Sequence, residues 1–467
     1  MTTALQDIHY LTLTELADLL RTRSLSPVEV TQAQLQRIDA LDGELASFCH
    51  LTAKPALEAA RQAEREIAQG RYRGPLHGVP LAVKDLLFTE DAPSAAGMPI
   101  HRDFHSGWDA TAVSRLRQAG AVLLGKLQMT EGAYADHHPA ITPPRNPWDP
   151  ELWPGISSSG PAVATAAGLC FGALASDTGG SIRWPSAATG LTGIKPTWGA
   201  VSRHGAFALA PSMDHIGPIA RSATDAGAVL AAIIGHDAND PTSLSAPPPG
   251  ETGTEPDVAQ MRVGVDPNWN FEGVDAQVQA ALKDTLDVFR DRGTSIVEVA
   301  APDVRESLRD WTPLCAVEAA VAHEATFPAR EAEYGPVLAS LLRSGRQVSG
   351  LDYQQIMLRR AALRGAFARL FETIDLLITP VHPFAPLTLS DIQILGDQPE
   401  LVFGLQRYTA PFDMTGNPTI TFPAGFTDNG APIGLQLVGA NRGESCLIAA
   451  VIALQHETPW HHRHPPR

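Results

Sequence analysis

The 467-residue chain is poor in lysine and cysteine and has no long apolar run. Nowhere do about 18 uninterrupted apolar residues occur, the length a membrane-crossing helix requires, so no membrane partner is expected. The opening residues, Met1-Thr2-Thr3-Ala4-Leu5-Gln6-Asp7, lack the basic and then apolar segments of a secretion signal. Four cysteines (Cys49, Cys170, Cys315, Cys446) lie far apart with no CxxC pair. That argues against a disulfide framework and for a reducing cytoplasm. Acidic residues outnumber basic ones by 51 to 35, and no basic stripe occurs, so nucleic acid is not an expected partner. No GxGxxG or P-loop pattern is present, which leaves nucleotide cofactors without support. His137-His138 and His461-His462-Arg463-His464 have no carboxylate or Cys at ligand spacing. His456-Glu457-Thr458-Pro459-Trp460-His461 places its second histidine one residue too late for HExxH. No metal and no cofactor are expected.

What remains is a chain with 44% hydrophobic and 18% charged residues, enough to bury a large core. Lysine occurs only at positions 54, 84, 126, 195 and 283, and Arg carries the rest of the basic charge. Arg cannot lose its proton near neutral pH, whereas a buried Lys can, so each lysine is worth a closer look. Capping boxes at Thr12/Glu15 and Ser26/Glu29, and an Ala/Glu-rich stretch at 55–69, predict an N-terminal helical layer over 1–72. Beyond it, short apolar runs alternate with helical stretches: Leu81–Val83, Ala121–Leu124, Ala173–Ser176, Arg262–Val265, Ile296–Val299 and Leu376–Thr379. That alternation predicts an α/β sheet with helices on its faces. The polar, Pro/Gly-rich stretch 236–257 reads as an exposed connection within a single domain, 1–467. Residues 353–373 predict a long amphipathic helix packed on the sheet.

The least ordinary stretch is 155–183, GISSSGPAVATAAGLCFGALASDTGGSIR. In Asp177-Thr178-Gly179-Gly180-Ser181-Ile182-Arg183 a serine follows two glycines, which let backbone N–H groups approach a ligand. Ser181 is either a nucleophile backed by the N–H groups of Thr178, Gly179, Gly180 and Ser181, or an incidental serine in a tight turn. No G-x-S-x-G elbow supplies the usual hydrolase geometry. Lys84 sits inside an apolar strand pattern, VPLAVKDL. Burial there would lower its pKa and make the neutral amine a base; pairing with Asp85 or a path to the surface is the alternative.

Taken together, HGVPLAVKD, SSSGPAVATAAG and SDTGGSIRWPSAATGLTGIKPTWG resemble the amidase signature family, the Ser-Ser-Lys hydrolases. The resemblance is dense over 74–222, and LSPVEVT and GNPTITFPAGF extend it more thinly. It implies a large central mixed β-sheet covered by helices on both faces, with 258–467 completing that sheet and supplying pocket helices. It marks Lys84 as base, Ser157 as bridging serine after a cis peptide bond, and Ser181 as nucleophile of an acyl-enzyme. Ser158, Asp177 and Arg183 are expected to support them. Gln128 lines the site in similar enzymes together with Met129. Tyr134, Trp148 and Trp153, in a stiff aromatic loop, are further candidates for the pocket wall. Ile156 departs from the two glycines many relatives carry there, and is expected to reshape that wall. The substrate implied is a small-molecule amide, anilide or carbamate (urethane), with water as the second reactant. Similar enzymes are commonly homodimers. One chain of a tRNA-dependent amidotransferase, and a silent scaffold of the same fold, are the competing readings.

Overall fold

The structure, a computed structural model, describes residues 8–245 and 257–466. Eleven strands make one sheet: β1 Phe48–Leu51, β2 Pro80–Lys84, β3 Val122–Leu127, β4 Gly172–Asp177, β5 Thr192–Lys195, β6 His215–Ala220, β7 Arg262–Val265, β8 Ser295–Glu298, β9 Leu376–Pro380, β10 Thr419–Phe426 and β11 Pro432–Gly439. In space they run β1-β3-β2-β4-β6-β5-β10-β11-β9-β7-β8. The β3-β2-β4 and β9-β7-β8 neighbours are parallel, and the strands between them are antiparallel.

Every residue of β2 is buried, because neighbours along a strand point to opposite faces and both faces are covered. Leu81 and Val83 join one buried cluster with Val113, Leu116, Val229 and Leu230, from helices Thr111–Gln118 and Ala223–Ile233. Ala82 joins another with Ala56, Ala60, Val163 and Ala164, from helices Ala53–Ala68 and Ser159–Ala166. The mixed α/β sheet with helices on both faces is the fold the chain adopts.

Both capping boxes form, opening helices Leu13–Arg21 and Pro27–Leu45. The N-terminal region is not helical throughout, however. Phe48–Leu51 is an edge strand antiparallel to β3, mostly exposed, and its short FCHL pattern has no apolar alternation to betray it. Strands β5 and β6 also escape the sequence pattern, since Gly193, Gly217 and Pro218 read as turn residues. The ladder between them reaches Ile219 and stops beside Pro218, which has no N–H to give. The helix expected at 353–373 spans Gly350–Leu370 and packs chiefly on helices Arg305–Ala322 and Ala410–Thr415 rather than on the sheet. Arg360 lies in its buried stripe and donates to the Met414 carbonyl and the Ser212 hydroxyl, both at 2.6 Å.

Of the connection expected to be exposed over 236–257, residues 246–256 lie outside the described residues. The part at 236–245 is anchored rather than free. The buried Asp237 carboxylate accepts from Thr111 and Ser202 hydroxyls at 2.6 Å, and Asp240 accepts the Arg203 N–H at 2.9 Å. Among the described residues no helix is long and apolar enough to cross a membrane.

Candidate active site

Strands β2, β3 and β4 run parallel, and the ends of such strands are where open α/β sheets hold ligands. Lys84 is the last residue of β2 and is fully buried. Its Nζ lies 2.7 Å from Ser157 Oγ and 2.8 Å from each of Ser158 Oγ and Ser176 Oγ. Burial lowers the amine to about 7, against the pull of the Asp177 and Asp214 charges. Among the described residues no carboxylate forms an ion pair with it. Ser157 and Ser158 come from the loop that enters helix Ser159–Ala166, and the Ile156–Ser157 bond is cis. Gly155 has φ +79°, and a Cβ there would come within 2.4 Å of Pro185 Cα. The Ser158 hydroxyl also donates to the Ser176 carbonyl at 3.1 Å.

Ser176 is a site residue that the sequence pattern marks only as a strand end. The β2–β4 register, Val83 opposite Leu174, carries Ser176 just past the end of β2 and beside Lys84. No local pattern announces which strand will be the neighbour.

The Ser181 loop leaves β4 at Asp177. That carboxylate accepts the N–H groups of Gly180 (2.7 Å), Ile182 (2.9 Å) and Arg183 (3.3 Å), together with Arg183 Nε (3.0 Å) and Nη2 (2.8 Å). Arg183 in turn donates to Asp413 at 2.6 Å and to the Thr409 carbonyl at 2.9 Å. Burial works to raise Asp177, but the Arg183 charge and hydrogen bonds overcome it and hold the carboxyl well below its usual range. For Asp413 burial wins, and its carboxyl is pushed well up despite Arg183.

The loop passes between two indoles. A Cβ on Gly179 would sit 2.5 Å from Trp311 Cζ2, and one on Gly180 (φ +140°) 2.5 Å from Trp184 Cε2. Trp311 donates its Nε1–H to the Thr178 carbonyl at 2.8 Å, and Thr178 Oγ1 donates to Asp214 at 2.7 Å. The expected set of four oxyanion donors is therefore narrowed: the Gly180 N–H is already committed to Asp177. Among the described residues the N–H groups of Thr178, Gly179 and Ser181 meet no acceptor. No hydrogen bond joins Ser157 to Ser181, and the Ser181 hydroxyl has no partner among the described residues.

A cavity of about 230 Å³ opens beside the cluster. Ser176 and Thr178 are in its lining together with Leu86, Phe207, Leu209, Ile216 and Asp214. None of the six expected wall residues, Gln128, Met129, Tyr134, Trp148, Trp153 and Ile156, lines it. The Gln128 carbonyl accepts the Gly160 N–H at 3.0 Å, while its Oε1 accepts the Met129 N–H at 3.2 Å. Met129 is fully buried in the core, and Tyr134 is half-buried, its phenol pushed up by burial. Ile156 packs with Trp153, Trp184, Phe384 and Leu387, and Trp148 donates to the Thr189 carbonyl at 2.9 Å. The cavity walls come instead chiefly from 203–216 and 239–241.

This sheet, with a lysine buried under three serine hydroxyls at its strand ends, fits one class. The Amidase family profile matches residues 29–448, and the chain belongs to the amidase signature family, a family of hydrolases. It is 47% identical over 460 residues to the protein named "Putative amidase AmiD" of Mycobacterium tuberculosis, covering 98% of this chain and 96% of that one. It is 36% identical over 485 residues to a glutamyl-tRNA(Gln) amidotransferase subunit from Moorella thermoacetica, covering 98% and 99%. Its fold matches the crystal structure of a bacterial aryl acylamidase of the amidase signature family, with a TM-score of 0.85 at 25% identity over 97% of each chain.

Proposed function

We propose that this chain hydrolyses amide-type C–N bonds through an acyl-enzyme on Ser181, with Ser157 and a neutral Lys84 as the proton relay. The observation that carries the reading is the Lys84 environment: full burial, three hydroxyls and no paired carboxylate. A neutral amine has two N–H donors and one lone pair. The Ser158 proton goes to the Ser176 carbonyl, so Ser158 takes one N–H of Lys84. If Ser176 takes the other, the lone pair is left for the proton of Ser157.

In this scheme Lys84 draws the Ser157 proton as Ser157 takes that of Ser181, and Ser181 Oγ bonds to the substrate carbonyl carbon. Negative charge moves to the carbonyl oxygen, where N–H groups from the set Thr178, Gly179 and Ser181 receive it; losing one such donor costs ~10²–10³ in rate. The relay returns its proton to the leaving nitrogen, the C–N bond breaks, and water then cleaves the acyl-enzyme. Amides, anilides and carbamates all present the carbonyl this chemistry needs. Four unpaired cysteines favour a reducing cytoplasm as its setting, and light scattering would test a homodimer.

The decisive experiment is labelling with a fluorophosphonate. Wild-type protein is expected to be modified at Ser181, and Ser181→Ala to be neither modified nor active. An unlabelled wild-type protein would mark a silent scaffold. The 36% identity to an amidotransferase chain favours a second reading, that of one member of a larger complex. Glutaminase activity appearing only with partner chains would support it, whereas turnover of a p-nitroanilide or carbamate by the isolated chain would support the free hydrolase.

A further inference from the structure

We infer that the substrate carries a compact, uncharged aryl substituent, received in the cavity between Phe207 and Leu86. This deepens the proposed amide hydrolysis and depends on it. The cavity has the right size for one ring. A cavity of about 150 Å³ lined by Leu, Ile and Phe holds benzene. At about 230 Å³ this one has room for an aromatic ring with a small substituent.

Its walls are apolar and held still. Phe207 is wedged between His101 (centroids 5.7 Å apart) and His323 (5.2 Å), while Leu209 and Ile216 are buried. A fixed aromatic wall favours a flat ring, which it can meet edge-on or offset at little ordering cost.

The charged groups around the cavity are already spoken for. Asp214 accepts from Thr178 Oγ1 (2.7 Å) and from the N–H groups of Leu209 and Ala210 (both 3.0 Å). Arg203, also in the lining, faces Asp240 at 3.7 Å, donates to Thr242 and lies over the Trp198 ring at 4.6 Å. Its Nε and Nη1 meet no acceptor, so it can still greet a neutral oxygen such as a nitro group, but its charge is balanced. Burial keeps His215 neutral, and its Nδ1 meets the Asp177 carbonyl at 3.3 Å. A zwitterion such as free glutamine would bring an ammonium into a space whose carboxylates, Asp214 and Asp240, already hold donors, and desolvating it would be costly.

The test compares kcat/KM for para-nitroacetanilide (ring on nitrogen), benzamide (ring on the acyl carbon), dodecanamide and glutamine. At least one aryl amide is expected to exceed both dodecanamide and glutamine by at least about tenfold, and which one reveals the side of the carbonyl the cavity serves. Equal or better turnover of dodecanamide or glutamine overturns the inference. Ala208→Trp, which fills the cavity, and Phe207→Ala, which removes its wall, are each expected to lower the aryl amide to acetamide ratio of kcat/KM by about tenfold. An unchanged ratio in both, with melting temperatures showing folded protein, also overturns it. Protection of Ser181 from a small fluorophosphonate by each amide reports occupancy without turnover. If Ser181 labels normally but aryl amides protect no better than dodecanamide, the inference alone fails. If Ser181 does not label at all, the hydrolase reading falls and takes the inference with it.

Discussion

Two buried lysines stand on neighbouring strands, and their surroundings differ in one respect. In the parallel β2–β3 ladder Val83 is opposite Lys126 and Lys84 opposite Leu127, so the two side chains start one residue apart in register. Lys126 Nζ is 2.6 Å from Ser94 Oγ and 3.0 Å from the Pro93 carbonyl, with the Asp85 carboxylate 3.4 Å away. Lys84 has hydroxyls only. Burial lowers both amines, but at Lys126 a directly paired carboxylate opposes the loss of the proton, and at Lys84 the opposing charges of Asp177 and Asp214 stand further off. Burial alone does not make a base. The chemical type of the nearest neighbour does, because a carboxylate stabilises the ammonium and a hydroxyl serves either protonation state.

The sharpest way to break this contrast is to remove each amine. Lys84→Met is expected to lower kcat by ~10²–10⁴, the contribution of a positioned base. Lys126→Met is expected to keep kcat per folded molecule within a few-fold yet lose about 3–5 kcal/mol in denaturant unfolding, since Asp85 is left buried without its cation. Equal losses of kcat in the two variants would erase the distinction.

Gly180→Ala is the next largest effect expected. Its methyl would press on Trp184 at a φ of +140°, and displacing the Ser181 loop by about 1 Å should cost ~10² in kcat, read by steady-state assay. A smaller effect is the pH profile. With Lys84 acting as the neutral amine, as proposed, acylation is expected to rise with pH through about 7 and reach an alkaline plateau. A pre-steady-state burst followed from pH 5.5 to 9, roughly the range a lowered lysine spans, would show it, and an acid-favouring limb would assign the base elsewhere. The smallest expected effect is Ser176→Ala, about tenfold in kcat for one lost hydrogen bond, with a moved midpoint of the pH limb. Rescue by Ser176→Thr would show that the hydroxyl matters rather than the volume.

Motifs confined to one stretch of chain were readable before any coordinates. The capping boxes, the apolar runs of β2, β4, β7 and β9, and the triad candidates Lys84, Ser157 and Ser181 are of this kind. Elements whose pattern looks like something else were not. Pro218 and Gly217 disguise β6 as a turn, and β1 is an exposed edge. The pocket wall was sought at Gln128, Met129, Tyr134, Trp148, Trp153 and Ile156, but the cavity beside Ser176 and Thr178 is walled chiefly by 203–216.

What the amino-acid order determined by itself was the chemistry available: a lone lysine in an apolar strand, serines after glycines, and capped helices around them. These are decided by neighbours a few residues away, whose sterics and hydrogen bonds act at short range. Only the tertiary structure decided who faces whom. Ser176 reaches Lys84 across two adjacent strands, Trp311 closes on Gly179 from a helix far along the chain, and Asp177 takes the Gly180 N–H that was expected to meet a substrate. Such contacts depend on strand order and helix packing, which the free energy of the whole core selects and no short stretch of sequence encodes.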